Sequence, residues 1–217
     1  MNILFIGPTR IGDTILASSI INFLIDQNNQ SKFTVVTSPF SIDLYEKMPN
    51  LEKIIVINKK KYGLHWLNIW RSCIFKKWDL VVDLRSSIIA YLLFAKSRKI
   101  FKGNDNFHKI IQFTNFLKTS KKISPFIWYD STDELESENK IKTSGPFIAV
   151  SPYSNWKQKD WAIEKYFELF KNDFFKGYTI IFTGISKDIP NREKFFKMID
   201  DSSLCLLYTS PSPRDRG

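Results

Sequence analysis

The chain has 217 residues, with 32 Lys and Arg against 22 Asp and Glu, a formal charge of +10, and 43% of its residues are hydrophobic. That balance excludes a disordered chain, two distant cysteines (Cys73 and Cys205) exclude a disulfide framework, and two histidines without a paired-cysteine motif exclude an ordinary structural zinc site. At roughly 150 residues per domain, the length suggests one large domain or one and a half.

Residues 2–6 are a short apolar run suited to a buried parallel strand. Residues 7–12 form a turn. Residues 14–25 follow with apolar side chains at helical spacing (Ile15, Leu16, Ile20, Leu24) and Asp13 in the N-cap position. Strands are predicted at 33–36, 53–57, 80–82 and 99–101, with helices at 41–48, 62–75, 86–95 and 108–117. Residues 130–142 are polar and read as exposed. Ser144-Gly145-Pro146 is a linker signal. Beyond it come a strand at 147–150, a polar loop, a helix at 162–171 that packs Trp161 into a core, a strand at 178–182 and a helix at 191–198. Strands alternating with helices predict an α/β protein of two doubly wound layers. The domain boundaries expected are 1–143 and 144–204, with the second layer incomplete.

Residues 205–217 break this pattern. Cys205 to Asp215 match, residue for residue, one reading frame of a transposon-end sequencing adapter. They are expected to be a non-native tail, so that native sequence stops near Leu204. The apolar runs fall well short of the ~20 residues of a membrane span, and Gly7, Pro8 and Arg10 interrupt the apolar start. The expected location is therefore the cytoplasm. The basic charge is equally compatible with a solvated surface and with an anionic partner.

In open α/β sheets, ligands bind beyond the carboxyl ends of the strands. Three loops fall there. The first, Gly7-Pro8-Thr9-Arg10-Ile11-Gly12-Asp13-Thr14, has Asp13 where a phosphate-binding loop needs lysine, and a carboxylate would repel the phosphate. Asp13 can cap the helix or act as a general base on a bound hydroxyl; spacing alone favours the cap. The second, Ser154-Asn155-Trp156-Lys157-Gln158-Lys159, joins hydroxyl, amide and lysine side chains to a helix start, a combination suited to a pyrophosphate and equally to a plain exposed loop. The third, Gly184 to Asp188, can place a carboxylate near a ribose or base. No Asp-x-Asp pair occurs, which argues against a divalent-metal diphosphate clamp.

These loops in this order resemble glycosyltransferase family 9, the ADP-heptose:lipopolysaccharide heptosyltransferases. The residues that carry the resemblance are Ile3-Leu4-Phe5-Ile6 with Arg10-Ile11-Gly12-Asp13, the run Trp78 to Arg85, Ser151 to Asn155 with Lys159-Asp160-Trp161, and Ile180 to Gly184 with Asp188. The resemblance implies a GT-B fold, with two Rossmann-like domains facing a cleft, the acceptor on the first and the nucleotide-sugar on the second. It implies an inverting, metal-independent transfer of heptose or a related sugar, needing no cofactor beyond the donor ADP-heptose. Asp13 becomes the catalytic base, Lys159 the diphosphate contact, and Ser154 and Asn155 the lining of the donor loop. Asp188 stands where the family has a glutamate for the nucleoside, and Arg10 and Gly12 line the acceptor loop.

The partners implied are the nucleotide-sugar donor and a lipid-linked oligosaccharide acceptor, with peripheral association at an anionic membrane and no nucleic acid. Gly7 and Ser19 depart from the family's usual basic residue and proline, and its later Asp-x-Gly-x-x-His motif is not in the chain. A fragment of this kind is expected to be inactive and only partly stable. The rival reading is a non-catalytic nucleotide- or sugar-binding protein of the same fold.

Overall fold

In the computed structural model, residues 1–58, 63–104, 106–141, 145–152, 158 and 160–184 are described, together with the backbone of 204–208. The chain divides into two compact units, Met1–Tyr129 and Asp130–Gly217. By composition the change falls later, at the Ser144-Gly145-Pro146 signal.

The first unit is built on β1 (Asn2–Ile6), α1 (Ile11–Gln27), β2 (Lys32–Thr37), β3 (Leu51–Val56), α2 (Leu64–Cys73), β4 (Trp78–Asp83), β5 (Ala95–Ile100) and α3 (Lys109–Leu117). The five strands form one sheet in the order β3-β2-β1-β4-β5, every neighbouring pair parallel. Strand β1 is central and its residues 3–6 are fully buried, as expected for an apolar run covered on both faces. The apolar side chains divide between the two faces by the strand period of two. Ile3, Phe5, Val35 and Val82 pack with Ala17, Ile20 and Ile21 of α1 and Phe113 and Leu117 of α3. Leu4, Ile6, Val36 and Val81 pack with Ile69 and Cys73 of α2 and with Ile89, Ala90 and Leu93.

Helix α1 is buried more widely than one stripe, because the segment after α3 returns across it. Phe126 N–H donates to the Ser18 hydroxyl at 2.9 Å, and Ile123 and Trp128 join the α1-side core.

Two predicted helices are absent. Residues 41–48 give only a 3-10 turn at Pro39–Ser41 followed by turns. Residues 86–95 give a 3-10 turn at Ile88–Tyr91, and the chain enters β5 at Ala95. The second miss has a physical cause in Arg98. Its guanidinium donates to the carbonyls of Ala90 (2.8 Å), Leu93 (2.5 Å) and Ala95 (3.2 Å); the first is an acceptor that a helix over 86–95 would have satisfied internally, and the other two are acceptors that its end would have left open. The polar stretch expected to be exposed forms α4 (Ser131–Ile141), which contains no buried residue.

The second unit continues with β6 (Phe147–Val150), α5 (Ile163–Phe170), β7 (Thr179–Gly184) and β8 (Leu204–Tyr208), giving a parallel sheet β6-β7-β8. Among the described residues of its core, Ile180 and Phe182 are buried against Ile148, Val150, Tyr166 and Phe170. Trp161 is not in that core. It is 44% exposed and meets Tyr166 edge-on at 4.8 Å. The helix expected at 191–198 lies outside the described residues. Strand β8 includes Cys205, Leu206, Leu207 and Tyr208 of the anomalous tail. An apolar run can complete a parallel ladder whatever its origin, since the ladder bonds are made by backbone.

Cys73 is buried, and burial pushes its thiol up to about 11 even though Lys53 and Lys76 oppose the shift. In a Cys205→Ser background, a thiolate-specific reagent at pH 7.5 should label Cys73 only through unfolding. The labelling rate should rise with denaturant in step with the loss of tryptophan signal.

Candidate functional site

The order β3-β2-β1-β4-β5 reverses direction at β1. The connection after β1 goes to the face of α1, and the one after β4 goes to the face of α2. The carboxyl ends of β1 and β4 therefore border the crevice where open α/β sheets bind ligands.

On the β1 side, the helix begins earlier than predicted. Arg10, with extended backbone, is the N-cap, and Asp13 is the third residue of α1. Asp13 is thus not the cap. The arginine side chain makes no capping bond, and Asp13 is a half-buried carboxylate in the first turn, where the helix dipole favours negative charge. Arg10 and Gly12 are exposed on the same turn. The start of α1 is fixed by a buried chain of hydroxyls. Thr14 Oγ1 donates to the Arg10 carbonyl at 2.9 Å and to Ser41 Oγ at 3.3 Å, and Ser41 Oγ lies 3.2 Å from Ser38 Oγ. This chain links the β1 loop to the turn after β2. Gly7 sits tightly there: an added Cβ would lie 3.3 Å from Phe5 and 3.4 Å from the Val36 carbonyl. Gly12 faces open space, with nothing within 4 Å of an added Cβ.

On the β4 side, Asp83 pairs in register with Ile6 and is fully buried. Its carboxylate accepts from Arg85 N–H (2.8 Å), Ser87 N–H (2.6 Å) and Ser87 Oγ (2.7 Å). Ser86 turns through a left-handed φ of 51° and anchors its hydroxyl to the Phe101 carbonyl at 2.7 Å. The Arg85 guanidinium lies over the Trp66 ring, 5.0 Å from its centroid. Burial lowers its pKa, opposed by the neighbouring Asp83 carboxylate. In the sequence, Asp83-Leu84-Arg85 figures as the end of the run Trp78 to Arg85 that carries the family resemblance, and not as a site. The available signal was a carboxylate followed by Leu-Arg-Ser-Ser at the carboxyl end of a buried strand, a pattern for a side-chain-locked turn.

Of the residues singled out from sequence, the structure brings Arg10, Gly12 and Asp13 together on one helical turn. Ser154, Asn155, Lys159 and Asp188 lie outside the described residues, the first three in the stretch between β6 and α5 and the last beyond β7. Among the described residues no group of three or more His, Cys, Asp or Glu is placed to hold a metal ion, and no helix is long and apolar enough to cross a membrane.

No family model matches the chain. A lipooligosaccharide heptosyltransferase 2 of Campylobacter jejuni is 25% identical over 195 residues, an alignment covering 83% of this chain and 58% of the relative. The counterpart from a second serotype of that species aligns equally well over 59% of its length. The chain thus spans about three fifths of the length of the curated relatives it matches. Among solved structures, a family 9 glycosyltransferase from Veillonella parvula superposes with a TM-score of 0.74 at 17% identity, covering 95% of this chain and 68% of its own. The heptosyltransferase WaaC of E. coli, solved with ADP, gives 0.71 at 13% identity, covering 97% and 76%. E. coli ADP-heptose LPS heptosyltransferase II gives 0.66 at 17% identity, covering 96% and 72%.

The chain has the fold of the family 9 glycosyltransferases. Both kinds of comparison bear out the resemblance carried by the sequence motifs, and the α/β class and GT-B type stand with it.

Two substitutions separate geometry from chemistry here. Gly12→Ala should stabilise the protein by about 0.5–1 kcal/mol in denaturant unfolding, because the helix gains an alanine with no steric conflict. Asp83→Ala strands buried N–H donors and should destabilise by about 1–3 kcal/mol, read as a drop in the urea midpoint.

Proposed function

We propose that this chain belongs to glycosyltransferase family 9 and provides the acceptor side, with the start of the donor side, of an enzyme that transfers a heptose or related sugar from a nucleotide diphosphate to the core of a lipopolysaccharide. The observation that carries the reading is Asp13. It is a half-buried carboxylate on the first turn of α1 at the crevice of the sheet, beside exposed Arg10 and Gly12 and open space, in a chain that has the fold of family 9 glycosyltransferases and motifs that resemble theirs.

In this reading Asp13 takes the proton from the acceptor hydroxyl as that oxygen attacks the anomeric carbon of the donor, and the nucleotide diphosphate leaves from the opposite face, inverting the centre. A carboxylate at the start of α1 is of the type that serves as a general base toward a bound hydroxyl. Lys159, with Ser154 and Asn155, would neutralise and bind the leaving diphosphate, and Asp188 would take the nucleoside; the reaction would need no metal. ADP and ADP-2-deoxy-2-fluoro heptose accompany the E. coli WaaC structures, which favours an adenine nucleotide donor here as well. The acceptor would be lipid-linked, and the surplus of basic residues suits peripheral contact with the anionic inner face of the membrane.

The test is Asp13→Ala in the full-length gene product, assayed for transfer from ADP-heptose to core oligosaccharide. Transfer should fall on the order of 10²–10⁴-fold. Stability should change by only ~0.3–1 kcal/mol, the worth of one charge at a helix start. Unchanged transfer would remove Asp13 from the chemistry and favour a non-catalytic sugar- or nucleotide-binding protein. In the same assay Gly12→Ala should raise the acceptor KM, because its methyl enters the open space beside Asp13.

A further inference from the structure

Most buried polar groups of the first unit have a partner, and the exceptions identify what the fold has left for a ligand. Among the described residues, four side chains have a buried polar atom without a hydrogen bond: Ser31, Thr37, Tyr45 and Arg85. Three of them are hydroxyls, whose single unmade bond is a modest cost. The fourth, Nη1 of Arg85, belongs to a group that keeps its charge at any physiological pH.

Arg85 is held unusually firmly for a residue just past a strand. Leu84 N–H still donates to the Ile6 carbonyl at 3.0 Å, so the strand end is tied to β1 up to the preceding residue. Asp83 holds the Arg85 and Ser87 amides, and Ser86 is pinned to Phe101. The Asp83 carboxylate is committed to the Arg85 amide and to the amide and hydroxyl of Ser87, and forms no ion pair with the guanidinium. Among the described residues the guanidinium makes no hydrogen bond; it rests on Trp66. A planar fork of donors is thus oriented by an aromatic face, partly stripped of water and left without an acceptor, at the carboxyl edge of the sheet where the β1 loop carries Asp13. That arrangement matches a carboxylate or a phosphate, which accept two parallel N–H bonds from arginine.

We propose that Arg85 is the anion-recognition residue of the acceptor site, its guanidinium taking a carboxylate or phosphate carried by the acceptor sugar. The inference rests on the reading of this unit as the acceptor side. Asp83 and Trp66 act as positioning residues: the carboxylate fixes the turn, and the indole fixes the plane of the fork. Asp13 and Arg85 then divide the labour, one acting on the hydroxyl and the other fixing the sugar by its charge.

The experiment uses the 217-residue chain and three probes: glucuronate, glucose 6-phosphate and neutral glucose. Binding is followed by calorimetry, and by the shift of the Trp66 indole N–H in NMR spectra assigned with Trp66→Phe. At least one anionic sugar should bind and move the Trp66 resonance, glucose should not, and the arm that binds distinguishes carboxylate from phosphate. Arg85→Gln should weaken that binding roughly tenfold or more, and Arg85→Lys should fall between, because it keeps the charge and loses the fork. Unchanged affinity in Arg85→Gln, or no binding of either anion by the native protein, overturns the proposal. If Arg85→Gln does not fold, the native Trp66 shift and Arg85→Lys still decide it.

The two readings fail separately. Arg85-dependent binding in a protein that never transfers from ADP-heptose sinks the transferase reading alone. Transfer by the full-length product with an acceptor KM indifferent to Arg85→Gln sinks this inference alone.

Discussion

The first unit depends on the double pairing of β1. This strand has parallel partners on both sides and a covered surface on both faces, so only backbone bonds and apolar side chains can satisfy it. Crossovers between parallel strands are right-handed. Proceeding from β1 toward β2 therefore puts α1 on one face, and proceeding from β4 toward β5 puts the connection on the other. The crevice between the β1 and β4 loops is a geometric by-product of that handedness. Both the Asp13 turn and the Arg85 turn stand at its rim without any element having been added to bring them there.

The two rims are stabilised differently. The β1 loop is held from behind by hydroxyls, Thr14 to Ser41 to Ser38, which reach the exposed Arg10 only through its backbone carbonyl. The β4 loop is held by a buried carboxylate with three donors. Charge-assisted bonds to backbone amides are among the stronger interactions available to a turn, and they remove the need for a helix to organise the segment. In both rims the rigid part lies below the surface and the presented part is polar, which is how a site gains preorganisation without becoming part of the core.

Much of this was legible in the sequence. The strands were, because apolar runs of four to six residues between turn signals have few other uses, and the parallel α/β class followed from their alternation with helices. Asp13 was legible as a residue at a strand-to-helix turn, but its position was misjudged by one turn. The rule that a cap is an acidic or hydroxyl residue does not apply where the N-cap is Arg10. The helix expected at 86–95 failed for a non-local reason: Arg98, on the following strand, supplies donors that local periodicity cannot reveal. Trp161, at the start of a helix, was expected in a core, yet it keeps 44% of its surface exposed and meets Tyr166 edge-on. The unpaired guanidinium of Arg85 depends on where Trp66 and Asp83 lie in space, and no spacing along the chain encodes that.

The Arg98 staple has an evolutionary consequence. A helix spreads its hydrogen bonds over every residue, so each position is held to helix-forming types. Here one side chain satisfies two carbonyls of the segment between β4 and β5 and a third at the start of β5, while Ile89, Ala90 and Leu93 point into the core. The outward positions Ile88, Tyr91, Leu92 and Phe94, all more than half exposed, are freed from propensity. Their identity can drift or adapt to whatever surface they meet while the path of the chain stays the same. The freedom is concentrated on a single point of failure: one arginine, outside the segment, carries the constraint that its residues have shed.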